Sequence, residues 1–409
     1  MLVPMTETHV PRGGRVRLGA VDGDLRVEKN ARIEADGAVT VAGHAEFDGS
    51  AEVTGDLDCR SLSASHGDLN IRGSLRVAES LDGDDSEIHV ARDLKAGRVD
   101  VDRGLHVGGA ADARTFDVGG TLEGHGTLSA ERVSVGGRFL LEGKLTARSV
   151  EAGGMIQIHD FELDGLSAGG TVRIGGGTVR KEVDVGGRFR ADGPIEFGSI
   201  DVGGVAELSR TSRGGSIDVG GMFRADEDLA FTHLEIGGLG EIRGNGRGES
   251  VEVGGRLEVG GSLDVTDSIE VGGSLTVRGL LTSGSLEIGG KFEARRGVIT
   301  RHAEVSGKIR TQEGLKADEL EVGRRGRVVG PLIGGRVRVD SRAEVEDIYG
   351  EEVELGDHAT ARRVVGATVR LHRQAVAEEV VYRDRIEIAS GAQVKSPPRQ
   401  VSELPKTPL

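Results

Sequence analysis

VEVGGRLEVGGSLDVTDSIEVGG, residues 251–273, contains the unit that decides the fold of this chain. Apolar residues such as Val251 and Val253 alternate with charged residues, which is the period-two pattern of short strands with one buried face. Gly-Gly pairs at 254–255 and 260–261 interrupt the alternation. Because glycine reaches positive φ at little cost, we expect each pair to form a sharp corner between two half-buried strands.

An apolar residue followed by Gly-Gly returns about every 17 residues, and each repeat has room for three short alternating segments. Parallel stacking of such repeats predicts an all-β fold, a triangular single-stranded parallel β-helix with about 17 residues per turn. The right-handed form is expected, because parallel crossovers are right-handed. The apolar residue falls at Val118, Val135, Ala152, Ala168, Val185, Val202, Val219, Ile236, Val253, Val271 and Ile288. Its phase continues without Gly-Gly at Val305, Val322, Val339, Leu355, Leu371 and Ile388, which predicts differently built corners in that part.

The composition excludes several classes of partner. The 409 residues carry a formal net charge of −15 and include 9 Phe, 2 Tyr and no Trp. An acidic chain with few aromatic rings is poorly suited to nucleic acid, so no nucleic-acid partner is predicted. The single cysteine, Cys59, cannot form an internal disulfide and fits a reducing compartment. Neither a secretory signal nor a long apolar run is present, so a cytoplasmic protein is predicted.

The apolar alternation also predicts the domain organisation. Residues 15–394 are expected to form the β-helix, with less regular turns over 15–100 and regular 17-residue turns over 101–394. Residues 1–14 are expected to be a disordered tail. Residues 395–409 contain half of the chain's 8 prolines and are expected to be a disordered C-terminal tail.

An acidic column runs along one edge of the predicted helix, one residue before each apolar phase position. Two interpretations stay open: a solvated face that discourages sideways association of sheets, or a site for divalent cations or a basic partner. At the position five residues after the phase residue, charges of mixed sign predict surface ion pairs between turns. The column consists of Asp184, Asp201, Asp218, Glu235, Glu252, Glu270, Glu287, Glu304 and Glu321.

Three motifs that could carry chemistry have simpler explanations in the repeat. His89 and His106 are 17 residues apart, a spacing that would allow them to stack on one outer face. A metal site needs further ligands, so two exposed histidines are the preferred interpretation. Gly165–Gly169 matches the letters of a nucleophile elbow around Ser167, yet a strand and not a helix is predicted to follow. The stretch 137–144 is a near miss to a phosphate-binding loop. No catalytic residue, cofactor or metal site is therefore predicted, and the chain is not expected to be an enzyme.

The ends of the repeat carry no helical segment that could cover them. Uncapped strand edges pair with other strands, so end-to-end association with further copies of the same chain is predicted. The residues expected at this polymer interface are the apolar ones closest to the tails, namely Val16, Leu18, Leu25, Val27, Ile386, Ile388 and Val394.

The stacked V-x-V-G-G and G-x-L-x-V units, such as 251–255 and 261–265, resemble those of the bactofilins, polymer-forming cytoskeletal proteins of bacteria with relatives in archaea. The resemblance covers most of the chain and identifies it as an unusually long member. It implies a right-handed β-helix that polymerises without nucleotide and scaffolds cell shape or envelope processes. It also makes the tails candidate contacts to membrane or envelope proteins, with Met1 to Met5 as the membrane candidate.

Two alternatives come from other classes of protein. One is an enzyme on a left-handed hexapeptide-type β-helix, an acyltransferase or a γ-type carbonic anhydrase, which would need catalytic or metal-binding histidines that converge between turns. The 11 histidines of this chain are scattered along the sequence. The other is a passive surface solenoid, which would need an export route.

Overall fold

The structure is a computed structural model that describes residues 7–408. These residues form 40 strands and no helix. The strands are parallel and stack in a β-solenoid of about 23 turns with roughly 17 residues per turn, which confirms the predicted fold class. The chain divides into two compact units, Met1–Gly204 and Val205–Leu409.

The first unit contains strands β1 to β21. In chain order they are Glu7–Val10, Arg15–Arg17, Ala20–Val21, Asp24–Glu28, Ala31–Glu34, Ala38–Asp48, Ala51–Val53, Asp56–Ser65, Asp68–Ile71, Leu75–Asp84, Glu87–Val90, Leu94–Val101, Gly104–Val107, Ala111–Val118, Thr121–Gly124, Leu128–Val135, Arg138–Ala152, Met155–Ala168, Thr171–Val185, Arg188–Ala191 and Ile195–Val202.

The second unit contains strands β22 to β40. In chain order they are Val205–Leu208, Ser212–Val219, Met222–Ala225, Leu229–Ala230, His233–Ile236, Leu239–Ile242, Gly246–Val253, Arg256–Val259, Leu263–Val271, Ser274–Ile288, Lys291–Val305, Lys308–Val322, Arg327–Val329, Leu332–Val339, Glu344–Leu355, Thr360–Leu371, Val376–Ile388, Gln393–Val394 and Arg399–Gln400.

Each regular turn has three faces. In the first unit β17 pairs with β18 in three blocks, Arg138–Leu141, Lys144–Ala147 and Ser149–Ala152, which are separated by residues without a ladder partner. Each block is a short strand that lies in register on the equivalent block of the next turn. The three-segment repeat in the sequence therefore corresponds to three faces of one turn.

Alternation of side chains places the core inside the coil. In β29 Leu257 and Val259 are 0% and 1% exposed, while Arg256 and Glu258 lie outside. Because the strands stack in register, each buried side chain packs on its equivalents one turn away. Burying one Val, Leu, Ile or Phe side chain contributes roughly 1.5–3 kcal/mol, and the repeat places several in every turn.

The Gly-Gly corners do not use positive φ, contrary to the sequence-based expectation. Their glycines are required by close approach instead: a Cβ on Gly254 would lie 2.9 Å from the carbonyl oxygen of Gly237, one turn away. A Cβ on Gly255 would meet the carbonyl oxygen of Gly238 more closely still. The glycines with positive φ, all outside the Gly-Gly pairs of the repeat, are Gly13, Gly49, Gly314, Gly330 and Gly391.

A second corner type appears where the Gly-Gly pairs are missing. The Ala359 N–H donates to the Gly356 carbonyl at 3.1 Å and closes a tight turn, with His358 between them at φ 60°. This confirms that the later corners are built differently. The non-glycine residues with positive φ are Asn30, His66 and Asp85 in the first unit, and Arg325, Arg342, His358 and Gln374 in the second.

These left-handed corners give a stability prediction. Arg342 lies at φ 61°, where an L-residue costs roughly 1–2 kcal/mol, whereas glycine loses about 0.5–1 kcal/mol more backbone entropy on folding. We expect Arg342→Gly to raise the free energy of unfolding by about 0.5–1 kcal/mol. Ser341→Gly, in the same turn but without positive φ, should lower it by a similar amount. Urea unfolding of both variants would contradict the assignment if the two changes had the same sign.

Turn length varies along the chain. Leu25 pairs with Ala45 and Leu75 with Leu94, so these early turns hold 20 and 19 residues. Leu94 then pairs with Ala111, a spacing of 17 residues. In the second unit Thr360 pairs with Val376, a 16-residue turn that contains the left-handed corner at Gln374.

Regular structure extends beyond both boundaries that the sequence predicts. At the N-terminal end β1 begins at Glu7 and pairs with β4, and its Val10 is 0% exposed beside Val27. At the C-terminal end β40, Arg399–Gln400, pairs with β38. Parts of both segments that were predicted to be disordered tails therefore form strands. Burial of apolar residues such as Val10 favours this ordered state.

Candidate functional site

The first turn of the solenoid leaves one side of its strands without a partner among residues 7–408. Its three strands β1, β2 and β3 pair only with β4, β5 and β6 of the next turn. The turn buries Val10 and Val21. It therefore presents an unpaired strand edge next to an apolar layer.

The last turn presents a second such edge. The final block of β38, Arg385–Ile388, pairs with Thr368–Leu371 on one side and with no described strand on the other. Ile388 in this block is 48% exposed. β39 and β40 continue the turn and pair only with β38. We call this the C-terminal edge, and the outer side of β1, β2 and β3 the N-terminal edge.

The C-terminal segment covers a lateral apolar surface. Val401 and Leu404 pack against Ile333, Tyr349, Val365 and Val381, which form a column on successive turns and are each 8% exposed or less. The Val401 N–H also donates to the Tyr382 carbonyl at 2.9 Å. Sequence reasoning missed this contact. The sequence does contain a signal for this contact, because pairs of large apolar residues interrupt the alternation in four successive turns. These pairs are 332–333, 348–349, 364–365 and 380–381.

The predicted interface residues fall into two groups. Most lie at or near the two edges: Val16 and Leu18 in the first turn, and Ile386, Ile388 and Val394 close to the last. Leu25 and Val27 lie one turn further in, at 1% and 0% exposure, where β4 pairs with both β1 and β6. Contact between copies stays a prediction, and the membrane candidate Met1 to Met5 lies outside the described residues.

The acidic column is an in-register ladder in the second unit. Glu235 pairs with Glu252, Glu252 with Glu270, and the series continues to Glu321. Among the described residues these six glutamates have no cationic side chain within 4.0 Å. Four of the six are exposed and two, Glu304 and Glu321, are partly buried. The four exposed carboxylates agree with the solvated-face interpretation, while a bound cation or basic partner stays a prediction.

Ion pairs between turns occur in the column of mixed charge. Arg224 Nε lies 3.7 Å from a Glu241 oxygen on the next turn, as predicted. Asp226 joins the pair, since it lies 2.9 Å from Arg224 and 3.1 Å from Arg243. Each exposed contact contributes little, roughly 0–1 kcal/mol, but the network favours the correct register of neighbouring turns.

His89 and His106 stack on each other in the first unit, as their 17-residue spacing allows. The ring centroids lie 4.5 Å apart with an interplanar angle of 12°. The structure adds two carboxylates that sequence reasoning missed. Glu87 Oε1 is 3.3 Å from His89 Nε2 and 2.9 Å from His106 Nε2, and Glu123 Oε2 is 3.0 Å from His106 Nδ1. The available signal was Glu87 two residues before His89, on the same face of β11.

Two other candidates have structural explanations. Ser167 lies within β18, and a further strand follows its Gly-Gly corner, so the helix that a nucleophile elbow requires is missing here. Burial, together with the charge of the neighbouring Asp58 carboxylate, raises the pKa of Cys59 to about 12. A thiol in this environment is a poor nucleophile near neutral pH.

Comparison with models of protein families, with curated proteins and with solved structures finds no match for this chain. Within residues 7–408 no helix is long and apolar enough to cross a membrane.

Proposed function

We propose that this protein is a structural, self-polymerising cytoskeletal scaffold that assembles end to end without nucleotide. The observation that carries the proposal is the pair of unpaired strand edges, one in the first turn and one in the last. An unpaired edge is a template for another strand, and stacking one copy on another would add backbone hydrogen bonds and bury apolar rungs. A structural polymer of this kind needs no catalytic centre.

The repeat units support the same proposal. The V-x-V-G-G units that resemble those of bactofilins occur in the stacked turns. Bactofilins support cell shape or envelope organisation, and we propose the same kind of role here. We propose a cytoplasmic location on the same basis, with contacts to membrane or envelope proteins through the terminal segments. Ion pairs between the side chains of neighbouring turns, such as Arg224 and Glu241, hold these turns in register within one chain. Similar pairs between the terminal turns of two copies would favour assembly in register.

The test is electron microscopy and analytical ultracentrifugation of the purified chain without nucleotide. We expect filaments and a sedimentation coefficient that rises with concentration in the micromolar range. The variant Ile388→Lys places a charge on the C-terminal edge, and should raise the concentration needed for assembly at least about tenfold, which corresponds to about 1.4 kcal/mol.

A matched control distinguishes the edge from a general loss of exposed apolar surface. Leu280 is 40% exposed, similar to Ile388, but lies in β31, which pairs with both β30 and β32. We expect Leu280→Lys to assemble like the unmodified chain. A strictly monomeric protein without filaments at micromolar concentration would overturn the proposal.

A further inference from the structure

The first unit contains a cluster of ligand-type side chains that the proposed scaffold function does not use. Glu87 and His89 lie on β11, and His106 lies on β13 in the next turn. One ligand atom from each residue lies within 4.8 Å of the others. No other group of three His, Cys, Asp or Glu side chains in the described part of the chain meets this criterion.

The backbone explains why these side chains meet. β11 and β13 are in register, with His89 opposite His106 and Glu87 opposite Gly104. Gly104 has no side chain, and a Cβ there would be only 3.3 Å from Glu87 Cγ. The Glu87 carboxylate can therefore extend across the next turn and reach the Nε2 atoms of both histidines.

Glu123 orients one of the ligands. Its Oε2 accepts a hydrogen bond from His106 Nδ1 at 3.0 Å, when that nitrogen carries the proton. The Nε2 lone pair of His106 is then available to a metal. A carboxylate that holds the outer nitrogen of a histidine is the usual outer-shell partner of imidazole ligands, and it raises the basicity of the ligand.

We propose that Glu87, His89 and His106 form a binding site for a divalent transition metal, with Zn²⁺ as the best fit. Two imidazoles and one carboxylate are ligands that Zn²⁺ accepts, and three protein ligands leave a fourth position for water. Hard cations such as Mg²⁺ prefer oxygen ligands and do not fit this set. The metal joins two adjacent turns through side chains held on paired strands.

The geometry requires only side-chain movement. Ligand atoms at 2.0–2.1 Å from a tetrahedral Zn²⁺ are about 3.3 Å apart. The contacts of Glu87 Oε1 with His89 and His106, at 3.3 and 2.9 Å, are already close to this separation. The two imidazole rings are nearly parallel, with an interplanar angle of 12°, so both must rotate about their side-chain torsions until their Nε2 lone pairs point to one metal.

The experiment is a titration of the metal-free full chain with Zn²⁺, followed by isothermal calorimetry and by the visible spectrum of bound Co²⁺. We expect one site per chain, a rise in melting temperature with Zn²⁺, and no change with Mg²⁺. His89→Ala and His106→Ala should each lose at least about tenfold in affinity, and Glu123→Gln should weaken binding about 10–100-fold through the orientation of His106.

His125 provides the matched control. It is also on the first unit's surface, and its Nδ1 contacts Glu142 on the next turn at 2.9 Å, but it has no second histidine beside it. We expect His125→Ala to bind Zn²⁺ as the unmodified chain does. Circular dichroism checks that each variant is folded. The proposal is overturned if the unmodified chain binds no more tightly than the folded His89→Ala variant, or if His125→Ala loses affinity equally.

Discussion

Replacing Phe223 by alanine is expected to lower the free energy of unfolding by about 3–5 kcal/mol, the largest effect of any single change proposed for this protein. Phe223 is 1% exposed and lies on β24, with its side chain inside the coil. The loss combines the transfer of the ring to water with the cavity that remains. The upper part of this range is expected, because the two neighbouring turns carry small residues at the paired positions.

The rungs on both sides of Phe223 carry small residues. Phe223 pairs with Ala206 in the preceding turn and with Gly240 in the following turn. The ring therefore supplies apolar volume for three successive turns. After its removal, the paired strands hold the backbone in place, so neighbouring side chains cannot collapse fully into the space.

Met222 is the control for this prediction. It precedes Phe223 on the same strand but is 44% exposed. Met222→Ala should change the free energy of unfolding by no more than about 0.5 kcal/mol. Urea unfolding followed by circular dichroism measures both, and hydrogen exchange at β22, β24 and β27 reports the local effect. Equal losses for the two variants would show that the ring is not a core element.

Replacing Gly255 by alanine is expected to cost about 2–3 kcal/mol, although it adds a single methyl group. The new Cβ would overlap the carbonyl oxygen of Gly238. That oxygen cannot easily move, because it accepts the hydrogen bond from the Arg256 N–H at 3.0 Å. Relief of the overlap therefore requires either a lost ladder bond or a wider separation of two turns.

The control uses the same corner position in a turn that already carries a side chain. Arg103 is the second corner residue after Val101, and its carbonyl accepts from the Thr121 N–H at 3.0 Å, as that of Gly238 does from Arg256. Arg103→Ala should stay within about 0.5 kcal/mol of the unmodified chain. If Gly255→Ala were equally mild, the conclusion that close approach requires glycine would be wrong.

Phe223→Ala and Gly255→Ala measure separately how much the interior and the corners contribute to the free energy of unfolding. Phe223 tests how well the coil is filled, and Gly255 tests how closely successive turns approach. Stacked strands lie about 4.8 Å apart, so a corner that stacks on an identical corner has little room for a side chain on its inner side. The left-handed corners at Arg342 and His358 avoid this limit by closing a tight turn within one repeat.

Much of the fold could be predicted from the sequence because burial follows a local pattern. Alternation around residues such as Val251 and Val253 specifies which side of a strand is inside, and the 17-residue return of that pattern specifies the stacking. In a solenoid each repeat contacts only its neighbours, so a local pattern repeated many times determines the architecture.

Other features depended on contacts that no single stretch of sequence contains. The role of the Gly-Gly pairs was misassigned to positive φ, because the carbonyl that excludes a side chain at Gly254 belongs to Gly237, one turn away. The ordering of the C-terminal segment depends on the column around Tyr349, which only the stacked turns create.

The class of fold, the period and the inward and outward faces could all be read from the amino-acid sequence, since these follow from alternation along a strand. The sequence also placed His89 opposite His106, because both hold the same position in successive turns. The stacked turns were needed to show that Glu87 and Glu123 complete that cluster, and that Leu25 and Val27 are enclosed between two turns. Those features depend on the distances between side chains of different turns, which an amino-acid pattern does not fix.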